Sequence, residues 1–198
     1  MDFKFVLYVL DSETTSLNKE SGEIIELSIL RINDEEQRTF LIKPENYEAI
    51  EKEALRINGH KIEDLRHQTQ YGKDLYRDPK IVLAEIENWM MSDNVSSEDR
   101  IMVGQNVNFD LGFLQEFWKK YASLETFPWG LRPRTLDTMQ LALFLDIIKG
   151  ERSQYYNLGS LVEKFGVRKQ KQHRADTDTV MCKDVFLRQI MEFKKLLK

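Results

Sequence analysis

Residues 3–13 read Phe3-Lys4-Phe5-Val6-Leu7-Tyr8-Val9-Leu10-Asp11-Ser12-Glu13. From Phe3 to Leu10 the run is nearly continuous in Phe, Val and Leu, the composition of a strand covered on both faces. Asp11 and Glu13 then close it. Side chains two apart in a strand point to the same face, so Asp11-Ser12-Glu13 sets two carboxylates side by side where a buried strand ends. Two like charges there are costly unless cations neutralise them, and hard divalent ions such as Mg²⁺ or Mn²⁺ prefer oxygen ligands of this kind. A solvated strand end would carry the same residues, so taken alone the stretch predicts a central strand and leaves its acids two readings.

Outward from this strand, segments 23–32 and 38–43 are less apolar. The polar patch Asn33-Asp34-Glu35-Glu36 separates them, which predicts an antiparallel meander. Helical patterns follow. Ile81, Leu83, Ala84, Ile86, Trp89 and Met90 fall at three- and four-residue steps over 80–91, and Pro79 stands where such a helix can begin. A short apolar strand over 101–103 ends at Gly104, ahead of a helix over 108–121. Residues 135–137 predict another short strand, leading into a helix through Leu145. A short helix over 157–165 is closed by Gly166, and a last helix runs from Ala175 to the end with Cys182, Val185, Phe186, Ile190, Phe193 and Leu197 on one face. Strands first, then alternating helices and strands, make an α/β plan with a mixed sheet.

Two further stretches carry acids. In Val103-Gly104-Gln105-Asn106-Val107-Asn108-Phe109-Asp110 the strand gives way to a helix start with Asp110 in its first turns; an acid favoured by the helix dipole has the same place. In Gln172-His173-Arg174-Ala175-Asp176-Thr177-Asp178 the histidine precedes the last helix. Histidine exchanges a proton near neutrality, as a general base for water must. Asp178, five residues on, can reach a metal while His173 reaches the attacking water; a structural histidine at a helix start is the plainer alternative. Asp176 and Asp178 lie about 200° apart around a helix, so both cannot face one site, and one of them is expected to cap the helix.

The 198 residues suit one domain, 1–198, with a core of its own. A hydrophobic fraction of 41% and a charged fraction of 31% describe a soluble globular chain. Phe5 to Leu10 is too short for a signal or membrane segment, so a cytoplasmic protein without membrane contact is expected. The single cysteine, Cys182, excludes an internal disulfide and reads as core packing. The net charge of −4 argues against long non-specific tracking along a duplex, while an enzyme that grips a few nucleotides and spends acids on metal remains compatible.

Taken together and in order, Asp11-x-Glu13, Asn106-x-x-Phe109-Asp110 and His173-x-Ala175-x-x-Asp178 resemble the three motifs of the DEDDh (DnaQ-like) 3′→5′ exonuclease superfamily, which includes the proofreading subunit of bacterial replicative polymerase, oligoribonuclease and RNase T. The resemblance runs from about Phe5 to Phe186. It takes in Leu55-Arg56-Ile57-Asn58-Gly59 and Asn157-Leu158-Gly159-Ser160-Leu161. It implies a ribonuclease H-like fold, a mixed five-stranded sheet flanked by helices. It also implies two divalent ions, Mg²⁺ or Mn²⁺, held by Asp11, Glu13, Asp110 and Asp178, with Asp11 bridging and Asp110 acting partly through water. His173 would take the proton from the nucleophilic water. Thr14 aligns with a residue that holds the terminal 3′-OH and Leu17 with an apolar wedge against the terminal base; Asn106 and Phe113 complete the expected substrate contacts, Phe113 by stacking on a base. Ser16 stands where many members have Gly, Gln105 where many have His, and Asp176 where an apolar residue is common.

The function expected on this resemblance is removal of single nucleotides from the 3′ end of single-stranded DNA, alone or beside a separate DNA polymerase. An exoribonuclease on short RNA keeps the same chemistry, and a non-catalytic nucleic-acid or polymerase binding module is the third alternative. Elsewhere, His60 and His67 read as part of a solvated, mildly basic helix, with contact to the substrate backbone as the sharper alternative. Phe117 and Trp118 read as core, and Phe127-Pro128-Trp129-Gly130 as a loop turn, with a place in one wall of the groove left open by the sequence. Lys194 to Lys198 read as a helix C-terminus favoured by the dipole.

Overall fold

A computed structural model describes residues 4–66, 75–170 and 173–197. Phe3, His67, Gln172 and Lys198 lie outside the described residues. The sheet has five strands: β1 (Val6–Thr14), β2 (Ile24–Arg31), β3 (Glu36–Leu41), β4 (Arg100–Gly104) and β5 (Arg134–Asp137), in the order β3-β2-β1-β4-β5. β1 pairs antiparallel with β2, and β2 with β3, as the meander requires. β4 joins parallel to β1, and β5 parallel to β4. The C-terminal ends of β1, β4 and β5 therefore share one edge of the sheet, where a ligand-binding crevice is expected in such folds.

The apolar run of β1 is buried on both sides. Tyr8 and Leu10 pack with helices α3 (Pro79–Met91) and α4 (Val107–Tyr121), through Val82, Ile86, Leu114 and Trp118. Leu7 and Val9 face the opposite layer, where Cys182 and Phe186 of α7 (Ala175–Leu196) close over them. Helices α5 (Thr138–Lys149) and α6 (Leu158–Lys164) support α7 through Ala142, Leu161 and Val162. Two short helices, α1 (Lys52–Asn58) and α2 (Ile62–Arg66), cover Ile25 near the end of β1.

Local signals set several boundaries. Asp78 caps α3 by accepting the amides of Lys80 and Ile81, and Pro79 sits at the first turn, where its missing N–H costs nothing. Asp137 accepts the amides of Asn106 and Val107 as well as that of Met139, so one carboxylate ties the start of α4 to the start of α5. β2 is buried along all eight residues although it reads as less apolar. Its polar members find partners elsewhere: Arg31 Nε and Nη2 donate to Asp34 and Glu36, leaving Nη1 buried without a partner, and Ser28 accepts from Gln37 and Thr39.

One expectation is corrected and one open alternative is closed, while the turn over 127–130 forms as read, the Gly130 amide donating to the Phe127 carbonyl at 2.8 Å. His60 is not on a solvated helix: its side chain is 6% exposed, in the turn between α1 and α2. Phe127 and Trp129 are no groove wall. They lie in the core against Trp118 and Tyr8, beside the start of β4, at the end of the strand away from the acids. Among the described residues no helix is long and apolar enough to cross a membrane.

Trp118 anchors α4 to the sheet. It is fully buried, and its indole N–H donates to Glu87 at 3.0 Å. Trp118→Ala is expected to lower the unfolding free energy by about 3–5 kcal/mol, read by urea denaturation. A loss below about 1 kcal/mol would mean that the layer closes over the gap far better than a packed core does.

Candidate active site

β1 outruns its parallel neighbour. The β1–β4 register ends at Val9↔Val103, while β1 continues to Thr14 on the β2 side. Beyond Val9 the β4 edge of the strand lacks a strand partner, and exposed backbone donors there need acceptors. The amide of Ser12 finds one in Asp110, which accepts it at 2.9 Å and the Ser12 hydroxyl at 2.7 Å. The alternation of the strand does the rest. Ser12 shares the face of Tyr8 and Leu10 and meets Asp110 from α4. Asp11 and Glu13 share the face of Leu7 and Val9 and meet α7.

There Asp178 arrives. Carboxylate oxygens of Asp11, Glu13 and Asp178 lie within 4.8 Å of one another. Asp110 is outside this triad, held by Ser12, yet close enough to repel Asp11. Asp176 does not join it. It lies about 200° around the helix from Asp178, its carbonyl accepting from Gln37, and neither acid takes the N-cap, which is Arg174. Asp178 is tethered instead: its Oδ2 accepts the backbone N–H of His173 at 2.9 Å. That bond goes with a left-handed backbone at His173, φ 63°, where non-glycine residues are uncommon. The His173 side chain is exposed at the rim.

The electrostatics of the cluster are those of a site built for cations. Burial pushes the Asp11 carboxyl well above the usual range, and Asp110, Asp178 and Glu13 add repulsion. Burial also carries Glu13 up to about 8, with Asp178 and Glu26 behind it. Asp110 rises to about 7, again through burial, even though the Ser12 hydrogen bonds pull it down. Asp178 is raised by burial despite the His173 amide. Its Oδ1 is buried without a hydrogen-bond partner. An orphaned carboxylate oxygen beside two others fits a bound divalent ion, which would satisfy all three.

This has a measurable consequence without metal. A carboxyl whose folded value lies above its unfolded one favours folding while protonated. For Glu13 the stabilisation is complete below about pH 4.5 and fades as pH rises through about 8. In EDTA the melting temperature is expected to fall across that window, and Glu13→Gln should flatten the fall. A profile unchanged by the substitution would remove Glu13 from the repulsive cluster.

The expected substrate contacts fall unevenly. Leu17 is 79% exposed on the loop after β1, free to meet a base. Thr14 is buried, its hydroxyl donating to the Ser16 carbonyl. Ser16 points inward: its Oγ accepts the Asn18 amide, and a Cβ on Gly22 would come within 2.8 Å of it, so Gly22 makes the room that Ser16 uses. Asn106, with φ 56°, is exposed and makes no side-chain cap. Phe113 is 3% exposed, packed against Phe109 with ring centres 4.9 Å apart. The half-buried ring of that pair is Phe109, a motif residue beside Asp110 whose exposure only the fold reveals. Gln105 spans Tyr156 and Thr138 by hydrogen bonds.

A mixed five-stranded sheet with acids from β1, α4 and α7 converging at one edge suits a nuclease that works with divalent cations. A sequence model of the RNase T exonuclease family matches residues 8–186. The chain belongs to that exonuclease family and is a hydrolytic nuclease on that ground. Its relatives include the PolC-type DNA polymerase III of Thermotoga petrophila, 34% identical over 192 residues, and that of Staphylococcus haemolyticus, 28% identical over 204. These alignments cover 95% and 98% of this chain but 12% of each polymerase. Among solved structures, E. coli exonuclease I in a complex with single-stranded DNA superposes with a TM-score of 0.72 at 15% identity, over 97% of this chain and 41% of that one. The likeness there is one of fold.

Proposed function

We propose that residues 1–198 form one exonuclease domain that hydrolyses the terminal phosphodiester at the 3′ end of single-stranded DNA, releasing nucleoside 5′-monophosphates. The observation that carries this reading is the triad Asp11, Glu13 and Asp178 with its unpartnered Asp178 Oδ1. Two Mg²⁺ or Mn²⁺ ions, when bound, supply Lewis-acid stabilisation to the attacking and leaving oxygens. Asp11, Glu13 and Asp178 would hold them, with Asp110 assisting from its place on Ser12. His173 accepts the proton of the attacking water; the bond from phosphorus to the 3′ oxygen breaks, and that oxygen takes a proton from solvent. Leu17 wedges against the terminal base, Phe109 rather than the buried Phe113 offers the stacking ring, the backbone around Thr14 meets the 3′-OH, and the exposed Asn106 adds a polar contact. DNA as substrate is supported by the polymerase relatives and by the single-stranded DNA in the exonuclease I complex. The same relatives make a separate or linked DNA polymerase the partner of choice.

The test is degradation of a 5′-labelled single-stranded DNA oligonucleotide and its RNA counterpart with Mg²⁺, Mn²⁺ or EDTA. A metal-dependent ladder shortening from the 3′ end, faster on DNA, is the expected result. Faster cleavage of RNA would reassign the substrate. No cleavage of either with both ions tried would leave a binding module.

A further inference from the structure

Glu26 is an acid that the proposed chemistry does not use, yet it lies beside it. It faces Glu13 across the β1–β2 register, and its side chain is fully buried. A carboxylate placed there should either join the metal-site acids or carry partners of its own. It carries partners. His60 Nε2 lies 2.9 Å from its Oε2, and Arg174 Nε donates to its Oε1 at 3.4 Å. Burial pushes the Glu26 carboxyl up, but His60 and Arg174 outweigh that and hold it below the usual range.

The partners come from different segments of the chain. His60 is held at its other nitrogen by Tyr76, 2.5 Å away, and follows directly on α1 and Gly59. The same segment holds the end of β1: Asn58 donates to the Thr14 carbonyl at 3.2 Å and the Glu51 amide to the Thr15 carbonyl at 2.9 Å. Arg174 is the N-cap of α7 and the neighbour of His173, and its carbonyl accepts the amide of Asp178 at 2.9 Å. We infer that Glu26 is a positioning residue: through His60 and Arg174 it ties the 51–60 segment, which braces the Thr14–Thr15 backbone, to the 173–174 loop. It thereby fixes the strand that carries Asp11 and Glu13 relative to the loop that carries His173. This rests on the proposed nuclease reading of the site.

Glu26→Gln keeps the shape and loses the charge. Removing such an orienting partner is expected to cost about 10–100-fold in kcat, with KM on the oligonucleotide changed less than threefold. In the metal-free protein the amides of 173–178 should exchange hydrogen faster, while those of the α3 and α4 core stay protected. Arg174→Gln, at a side chain 45% exposed and so tolerant of change, should reproduce both effects, and the two substitutions together should do little more than either alone. Should Glu26→Gln fail to fold, Arg174→Gln carries the test unaided. Unchanged kcat with unchanged exchange at 173–178 would overturn the inference, as would a loss confined to KM. A wild-type protein without nuclease activity would sink the functional reading instead, and the exchange experiment would still decide whether the tie exists.

Discussion

Asp11→Asn is expected to reduce turnover by about 10³–10⁴-fold and, in the same protein, to raise the melting temperature measured in EDTA. The first effect follows from position. Asp11 lies beside Glu13 and Asp178 and is repelled by Asp110 as well, so on the proposed mechanism it is the acid that would serve both ions. Metal stabilisation of a developing oxyanion is worth several kcal/mol, and each 1.36 kcal/mol is a factor of about ten in rate. The second effect follows from the same crowding. With no cation present, the Asp11 carboxyl is opposed first by burial and then by Asp110, Asp178 and Glu13; a neutral amide of equal size relieves all of these terms. A site whose acids cost stability when empty and confer rate when filled is the signature of function placed against folding. Single-turnover cleavage and EDTA melts on one preparation read both. Activity within tenfold of wild type would remove Asp11 from the metal site. A lower EDTA melting temperature would mean that its carboxylate makes a favourable contact in the metal-free fold.

Much of this site was legible because its signals are local. The double-faced apolar run before Asp11, the two-residue step to Glu13 and the five-residue step from His173 to Asp178 are read along the chain, and the fold places these three acids together. Asp178 rather than Asp176 meets β1 because only one of two acids about 200° apart can face the sheet. What escaped was set by distant partners. His60 reads as a surface histidine among Arg56, Lys61 and Arg66 until Glu26, 34 residues earlier, is seen to receive it. β2 reads as a modest strand because Glu26, Ser28 and Arg31 interrupt its apolar pattern, and only their partners reveal that all of it is buried. The aromatic pair Phe127 and Trp129 sits in a stretch with loop composition, and its burial depends on Trp118 and Tyr8 from other elements. Ser16 stands where many members have Gly, and the space that takes its side chain is made by Gly22 across the loop.

His173→Ala is expected to lower kcat by about 10²–10⁴-fold, the range for loss of a general base, and to remove the acid limb of the pH–rate profile so that the remaining rate climbs with hydroxide. The structure supplies a rival cause that the experiment must separate. His173 holds a left-handed backbone, and its amide, not its imidazole, is what binds Asp178. Alanine disfavours that backbone by roughly 1–2 kcal/mol, so the variant could lose activity by releasing Asp178 rather than by losing a base. Asparagine tolerates the left-handed region and keeps the amide while offering no proton acceptor of comparable basicity. If the imidazole takes the proton, His173→Asn should be as slow as His173→Ala with metal affinity near wild type. If the residue matters for its backbone, the asparagine variant should recover most of the rate, and the alanine variant should instead need more metal for half-saturation. The first pattern makes the rim histidine the base; the second makes it a hinge pin for Asp178, and the base would then have to be sought elsewhere on the exposed rim.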